Sequence, residues 1–191
     1  QFGEAVALLA GDALTFLAFE RISDGFRKNV IDSEKAIELT DILAKAAGSY
    51  GMIGGQIIDI ESENKEISLE TLKELQSKKT GALISAACEM GCVLADRKDM
   101  IVYAKEYAYN LGLAFQIVDD ILDVEGSFEE LGKPIGSDEK NNKTTFVSLY
   151  GLDKAKELAE GYTNAALNTL EHFENSEALK AFTLELLTRQ N

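Results

Sequence analysis

The sequence of 191 residues has no tryptophan, one histidine and only one proline, a residue that is common in the turns between β-strands. Alanine, leucine, glutamate and lysine are abundant instead, and these residues favour helices. Hydrophobic residues make up 46% of the chain, which is enough for a substantial core. We therefore expect an all-α protein in which residues 1–191 form a single domain.

Only two cysteines are present, Cys88 and Cys92, four residues apart in an apolar segment. This spacing is more typical of two small core residues than of a metal or redox pair. Because reduced thiols are usual in the cytosol, we expect a cytoplasmic protein. The single histidine, His172, lies in a charged turn, which favours a surface residue over a catalytic base.

Long apolar runs and positive charge are also scarce. No uninterrupted run reaches the roughly 18 apolar residues of a membrane span, since Asp12 and Glu89 interrupt the two best candidates. We therefore expect no membrane span. The 33 acidic residues outnumber the 19 basic ones, for a net charge of −14, which disfavours nucleic acid as a partner. An anionic ligand would need a local basic site or a metal ion.

Apolar residues at helical spacing predict a succession of helices. Ser33 and Ser68 are the predicted N-caps of two of them, and Gly48 is a predicted left-handed C-terminal residue. A glycine-rich segment follows at 48–55 and requires close packing if it is helical. The predicted helices span residues 4–23, 33–48, 69–76, 82–95, 97–124, 152–173 and 176–189.

Three polar features permit two interpretations each. Gly11 and Asp12 could serve helix packing or lie near a site. Gln56 and Asp59, three residues apart on one helix face, could line a cleft or be satisfied polar neighbours. The segment 77–81 contains two lysines and a threonine before a helix start, where free backbone N–H groups could bind an anion. An ordinary solvated lysine turn explains that segment equally simply.

The clearest chemical signal is a set of polar residues at the end of the helix predicted for 97–124. At 100° per residue, one arc of this helix collects Gln116, Asp119, Asp120 and Asp123. Two carboxylates about 6 Å apart repel by roughly 3 kcal/mol at an effective dielectric constant of about 20, so a cation is expected nearby. Without histidine or cysteine among them, these oxygens suit Mg²⁺.

A long irregular segment, 125–143, follows this helix and contains the only proline. Loops of this length are often functional. It carries Lys133, Lys140 and Lys143, which can fold back over the aspartates. Carboxylates, a metal and lysines together predict a diphosphate site, in which the cations stabilise charge that builds up as a bond breaks.

These motifs resemble those of the trans-isoprenyl diphosphate synthases, in particular bacterial short-chain enzymes that make farnesyl or geranyl(geranyl) diphosphate. The similarity is carried by the aspartate-rich helix end and the segment after it. It extends upstream over nearly the whole chain. The matching segments are Gly112–Asp123, Gly132-Lys133-Pro134-x-Gly136-x-Asp138, Lys143-Thr144-Thr145, Phe2-Gly3-Glu4-Ala5, Gly54-Gly55-Gln56-x-x-Asp59 and Lys79-Thr80-Gly81.

The resemblance implies a helical bundle, a homodimer and a prenyltransferase reaction. Three Mg²⁺ ions between two aspartate-rich motifs help an allylic diphosphate to ionise, and isopentenyl diphosphate attacks the resulting cation. By position, the resemblance assigns Mg²⁺ binding to Asp119 and Asp123, with Asp120 as a ligand or a supporting group. It assigns contacts with the allylic diphosphate or the growing cation to Lys79, Thr80, Gln116, Lys133 and Lys143.

One part of the family pattern is absent from these residues. The first aspartate-rich motif and the isopentenyl diphosphate site belong upstream of Phe2, so the resemblance implies a fragment that is inactive alone and leaves product length open. A non-catalytic partner subunit of a heteromeric synthase remains an alternative. A class I terpene cyclase is disfavoured because its second metal motif differs from the one found here.

Overall fold

The computed structural model describes residues 3–125 and 143–187, and in those residues it contains helices and turns but no strand. The predicted all-α class is confirmed. Two short helical turns, Lys98–Met100 and Leu170–His172, adjoin the longer elements. The α-helices are α1 Glu4–Arg27, α2 Ser33–Ala47, α3 Met52–Ser62, α4 Leu69–Gln76, α5 Ala82–Leu94, α6 Ile101–Glu125, α7 Phe146–Tyr150, α8 Leu152–Thr169 and α9 Glu177–Leu187.

Helix α6 lies at the centre and packs mainly against α8 and α5. The sequence predicted one apolar stripe along it, but every residue from Asn110 to Ala114 is buried, so its middle is enclosed on all sides. Leu113 and Ile117 on this helix pack with Leu72 and Phe146 in one buried cluster. This core fixes the C-terminal end of α6, where the aspartates lie, against α4 and α7.

Several predicted helix ends are shifted. Helix α1 continues to Arg27 instead of ending near Ser23, because Arg21, Arg27 and Lys28 pair with Asp24 and support the last turns. The side chain of Asp32, not Ser33, caps α2 by accepting a hydrogen bond from the Lys35 N–H at 2.8 Å. The predicted cap at Ser68 is confirmed.

The prediction of a left-handed residue at Gly48 was wrong, since its φ is −78°. A glycine is nevertheless required there, because a Cβ atom would lie 2.7 Å from the carbonyl oxygen of Ala44. Among the described residues other than glycine, positive φ occurs at Asn29, Asn64, Asp96 and Asn175. Short polar side chains tolerate this conformation better than most, so these residues can end helical segments where glycine is absent.

The predicted break at residues 77–81 was also wrong. These residues form a π-helical turn, Ser77–Gly81, that joins α4 to α5 without an interruption. The backbone N–H groups of this segment therefore do not present the free end of a new helix, so that reason for an anion site does not hold. Such a wide turn is rare, and it often occurs at functional sites.

The glycine-rich segment packs as closely as predicted. A Cβ atom added to Gly55 of α3 would lie 2.2 Å from the backbone nitrogen of Lys79 and 2.7 Å from its Cα. Real Cβ atoms do not approach other atoms so closely, so only glycine allows α3 to lie against the π-helical turn. This contact sets the position of Lys79 relative to α3.

The remaining sequence predictions on single residues can be checked directly. Cys88 and Cys92 are free thiols that pack in the core, as predicted, and burial raises the pKa of Cys88 to about 11. His172 is exposed and stacks on Tyr103 with ring centroids 3.9 Å apart, which confirms a surface position. No helix in the described residues is long and apolar enough to span a membrane.

The first helix leaves an apolar face uncovered. Leu8, Leu9, Leu14 and Phe16 on α1 are 64–73% exposed. Within the described residues no atom beyond the adjacent part of α1 lies within 4 Å of a Cβ placed on Gly11, so no other helix packs closely there. A role of Asp12 near a site stays a prediction.

Candidate functional site

A cavity of about 180 Å³ lies where α3, α4, the π-helical turn and the end of α6 meet the segment before α7. Its apolar floor consists of Ile67, Leu72 and Leu75. All the other lining residues are polar or charged, which is the composition expected of a site for a charged ligand rather than for an apolar one. These polar residues are Asp59, Ser62, Gln76, Lys79, Gln116, Asp119, Asp120, Lys143, Thr144 and Thr145.

Two lysines meet on one carboxylate in this cavity. Nζ of Lys79 donates to Oδ2 of Asp59 at 2.6 Å, and Nζ of Lys143 lies 3.2 Å from the same oxygen. Burial would raise the pKa of the Asp59 carboxyl, but hydrogen bonds and charges from Lys79 and Lys143 outweigh burial and lower that pKa below its ordinary value. Asp59 is therefore ionised at neutral pH and keeps two ammonium groups side by side.

The local fold explains why these groups meet. Gly55 brings the backbone of Lys79 against α3, and Asp59 is one helical turn further along α3, on the same face. Lys143 arrives from a distant part of the chain, 84 residues after Asp59 in sequence. The side chain of Asp59 is only 13% exposed, whereas those of Lys79 and Lys143 are 33% and 29% exposed. The lysines are thus accessible to a ligand in the cavity.

The three aspartates of α6 occupy different environments. Asp119 is half-buried and lines the cavity. Asp120 also lines it, but it is 6% exposed and its Oδ2 accepts a hydrogen bond from the Phe146 N–H at 2.8 Å. Asp123 is 2% exposed and is not among the lining residues. Within residues 3–125 and 143–187, no three His, Cys, Asp or Glu side chains are arranged to hold a metal by themselves.

The other predicted residues divide into three groups. Gln116, Lys79 and Lys143 line the cavity together, whereas Thr80 is half-buried and does not line it. Of the open pair on α3, Asp59 reaches the site, while Gln56 is exposed and lies outside it. The predictions for Lys133 and Lys140 fall outside the described residues.

Four polar lining residues were not among the predicted site residues: Ser62, Gln76, Thr144 and Thr145. Gln76 differs from the others because its Oε1 atom is buried and has no hydrogen-bond partner within the described residues. A sequence signal did exist, since Gln76 precedes Lys79 by three residues and residues so spaced share a helix face. The α-helical spacing does not hold strictly here, however, because a π-helical turn begins directly after Gln76.

The charges in the cavity fit a particular kind of ligand. The two ammonium groups can bind anionic oxygens, and the Asp119 carboxylate is the type of ligand that Mg²⁺ prefers. Mg²⁺ usually takes one or two protein carboxylates and completes its shell with waters and substrate phosphate, so a set of three protein ligands is not needed. The side chains present therefore fit Mg²⁺ bound together with a diphosphate.

Comparison with known sequences agrees with this geometry. The sequence model of the polyprenyl synthetase family matches residues 1–185. The farnesyl diphosphate synthase of Haemophilus influenzae is 40% identical over 194 residues, which cover 100% of this chain and 65% of that protein. The farnesyl diphosphate synthase of Escherichia coli is 40% identical over 98% of this chain and 62% of its own length.

Solved structures give the same picture. An FPP/GFPP synthase of Zymomonas mobilis superposes with a TM-score of 0.79 at 38% identity, over 97% of this chain and 62% of that one. A geranyltransferase from Helicobacter pylori, solved with magnesium and isoprenyl diphosphate, has a TM-score of 0.79 at 35% identity, over 96% of this chain and 59% of that one. The chain thus spans less than two thirds of these relatives, and it belongs to the polyprenyl synthetase family.

Proposed function

We propose that the cavity binds an allylic diphosphate with Mg²⁺, and that the protein is a short-chain trans-prenyltransferase that condenses this substrate with isopentenyl diphosphate. The observation that carries the proposal is the pair of lysines on Asp59, next to Asp119 in one cavity. Cations and an oxygen ligand are thus already assembled for a diphosphate. The farnesyl diphosphate synthases among the relatives support the reaction class.

In the proposed reaction the lysines move from Asp59 to the diphosphate. Lys79 and Lys143 then donate to oxygens of the leaving group, which takes the electron pair as the bond from carbon to oxygen breaks. Mg²⁺, which Asp119 would hold, would further neutralise that charge. The double bond of isopentenyl diphosphate attacks the allylic cation, and loss of a proton completes the condensation. Lys133 from segment 126–142 is the third proposed lysine contact.

We rank the proposed metal-binding residues by how accessible each carboxylate is from the cavity. Asp119 is the principal ligand because it lines the cavity and is only half-buried. Asp120 has one oxygen engaged by the Phe146 N–H, so it serves with its other oxygen or supports Asp119. Asp123, at 2% exposure, completes the set of carboxylates, and we expect its removal to weaken metal binding less than removal of Asp119.

The remaining assignments follow the family. Gln116 lines the cavity and is proposed to hydrogen-bond near the diphosphate and the growing cation, and Thr80 to assist from the π-helical turn. Three Mg²⁺ ions are proposed for the intact site. We also propose a cytoplasmic homodimer, for which the uncovered apolar face of α1 is a candidate contact surface.

Calorimetric titration of this chain with inorganic pyrophosphate, with and without Mg²⁺, tests the proposed site. We expect binding that requires Mg²⁺ and weakens by about 100-fold in Asp119→Asn, because the amide replaces the principal anionic ligand. Asp41→Asn is the matched control, since Asp41 is 56% exposed on α2 and outside the cavity. Binding that does not require Mg²⁺, or that is unchanged in Asp119→Asn, would contradict the proposal.

A further inference from the structure

Thr144 follows Lys143 directly and lines the same cavity. Its hydroxyl group makes two hydrogen bonds to the connection between α3 and α4, residues 63–68. Oγ1 donates to the carbonyl oxygen of Lys65 at 3.2 Å and accepts from the N–H of Ile67 at 3.3 Å. These partners are 79 and 77 residues away in sequence. Thr144 therefore attaches the segment before α7 to a distant part of the chain.

Several other threonines use their hydroxyl groups differently. Each of them donates to the carbonyl oxygen four residues earlier in its own helix, as at Thr15, Thr40, Thr163 and Thr169. Such a bond does not connect two elements. Thr144 lies outside any helix, and its single hydroxyl group acts as donor and acceptor at once. Its contacts are therefore tertiary contacts that an apolar side chain of the same shape could not make.

These contacts restrain the backbone next to Lys143 from one side of the cavity. On the other side, the N–H of Phe146 donates to Oδ2 of Asp120 on α6 at 2.8 Å. The residues from Thr144 to Phe146 are thus attached both to the connection after α3 and to α6. Because Lys143 directly precedes them, its backbone is held where its side chain meets Asp59.

This restraint gains importance when a ligand binds. In the ligand-free chain, Nζ of Lys143 lies 3.2 Å from Oδ2 of Asp59. In the proposed reaction the ammonium group moves to the diphosphate, so the contact with Asp59 is lost. The hydrogen bonds of Thr144 involve no group that the diphosphate takes away. A lysine with a restrained backbone loses less conformational freedom when it binds an anion, and it therefore binds the anion more tightly.

We propose that Thr144 is a positioning residue, which holds the backbone of Lys143 so that its ammonium group reaches either Asp59 or the diphosphate. Thr144 acts through Lys143 and makes no contact with the diphosphate itself. This inference rests on the proposed function, because it requires a diphosphate in this cavity. Its specific consequence is that loss of the Thr144 hydroxyl group weakens ligand binding only when Lys143 is present.

A double-mutant cycle tests this dependence. Thr144→Val keeps the shape and removes both hydrogen bonds, so we expect Mg²⁺-dependent pyrophosphate binding, measured by calorimetry, to weaken by about five- to tenfold. Thr144→Ser keeps the hydroxyl group and should bind within about twofold of wild type. In Lys143→Met, which should itself bind more weakly, adding Thr144→Val should cause no further loss. Thr40→Val is the matched control, since Thr40 is exposed on α2 and donates within its own helix.

A second measurement needs no ligand. Burial would raise the pKa of the Asp59 carboxyl, but Lys79 and Lys143 lower that pKa below its ordinary value. A less restrained Lys143 should lower it less. Titration of the Asp59 carboxyl followed by NMR is therefore expected to give a higher pKa in Thr144→Val than in wild type. Lys143→Met and the double variant should give the same pKa as each other.

Thr144→Val that binds pyrophosphate like wild type, or that leaves the pKa of Asp59 unchanged, would overturn the inference. An equal loss of binding with and without Lys143 would also overturn it, since the hydroxyl group would then contact the ligand or support the cavity in general. Failure of wild type to bind pyrophosphate with Mg²⁺ would overturn the proposed function instead. The titration of Asp59 would then still decide whether Thr144 positions Lys143, so the two failures are distinguishable.

Discussion

Two of the three carboxylates that line the cavity, Asp59 and Asp120, accept hydrogen bonds from different kinds of donor. Asp59 on α3 accepts from the side chains of Lys79 and Lys143, whereas Asp120 on α6 accepts from the buried backbone N–H of Phe146. Flexible ammonium groups can leave one anion for another, but a backbone N–H at the start of α7 cannot. The difference indicates that Asp59 holds the ammonium groups of Lys79 and Lys143 until a ligand binds them, while Asp120 connects α6 to α7.

The largest expected change in stability follows removal of Asp120. In Asp120→Ala the N–H of Phe146, a residue with 0% exposure, loses its acceptor inside the core. We expect the free energy of unfolding to fall by about 2 to 3 kcal/mol, as measured by urea denaturation. Asp120→Asn keeps a carbonyl acceptor and is expected to recover most of this loss. Equal stability of Asp120→Ala and wild type would show that the bond to Phe146 does not join the helices.

Gly55 provides the next test, because it determines where Lys79 meets Asp59. In Gly55→Ala the methyl group would overlap the backbone of Lys79, so we expect a loss of about 1 to 3 kcal/mol in stability and weaker pyrophosphate binding. Gly161→Ala on α8 is the matched control, since within residues 3–125 and 143–187 no atom beyond its own stretch of helix lies within 4 Å of the added methyl group. It should stabilise the chain by about 0.5 to 1 kcal/mol. Similar behaviour of the two variants would refute the proposed close contact.

The smallest effect concerns the charge of Asp59. Its pKa in the folded chain is lower than the ordinary 3.8, so its ionisation stabilises the fold above that pH, and this contribution disappears as the pH falls below it. Asp59→Asn should therefore lower stability by about 1 kcal/mol at pH 7, where two lysines would face each other without an anion. The difference from wild type should shrink below about pH 4. A difference that is constant with pH would contradict the ion pairing.

The aspartates of α6 and the lysines of the cavity show how far the sequence could predict this site. Helical spacing grouped Gln116, Asp119, Asp120 and Asp123, and all of these except Asp123 line the cavity. The lysine motifs indicated Lys79 and Lys143, which line it as well. Spacing could not predict that Asp120 would bind a backbone N–H 26 residues away. Spacing also could not predict which face of the helix carries Lys79. The π-helical turn Ser77–Gly81 adds a residue and so changes the direction in which the following residues point.

The most direct test of the account is a crystal structure of this chain with Mn²⁺ and pyrophosphate. Mn²⁺ can replace Mg²⁺ at oxygen ligands and is located by its anomalous scattering. We predict anomalous density at the Asp119 carboxylate and pyrophosphate within hydrogen-bond distance of Lys79 and Lys143, both of which will have left Asp59. Pyrophosphate bound elsewhere, with both lysines still on Asp59 and no metal at Asp119, would contradict the account.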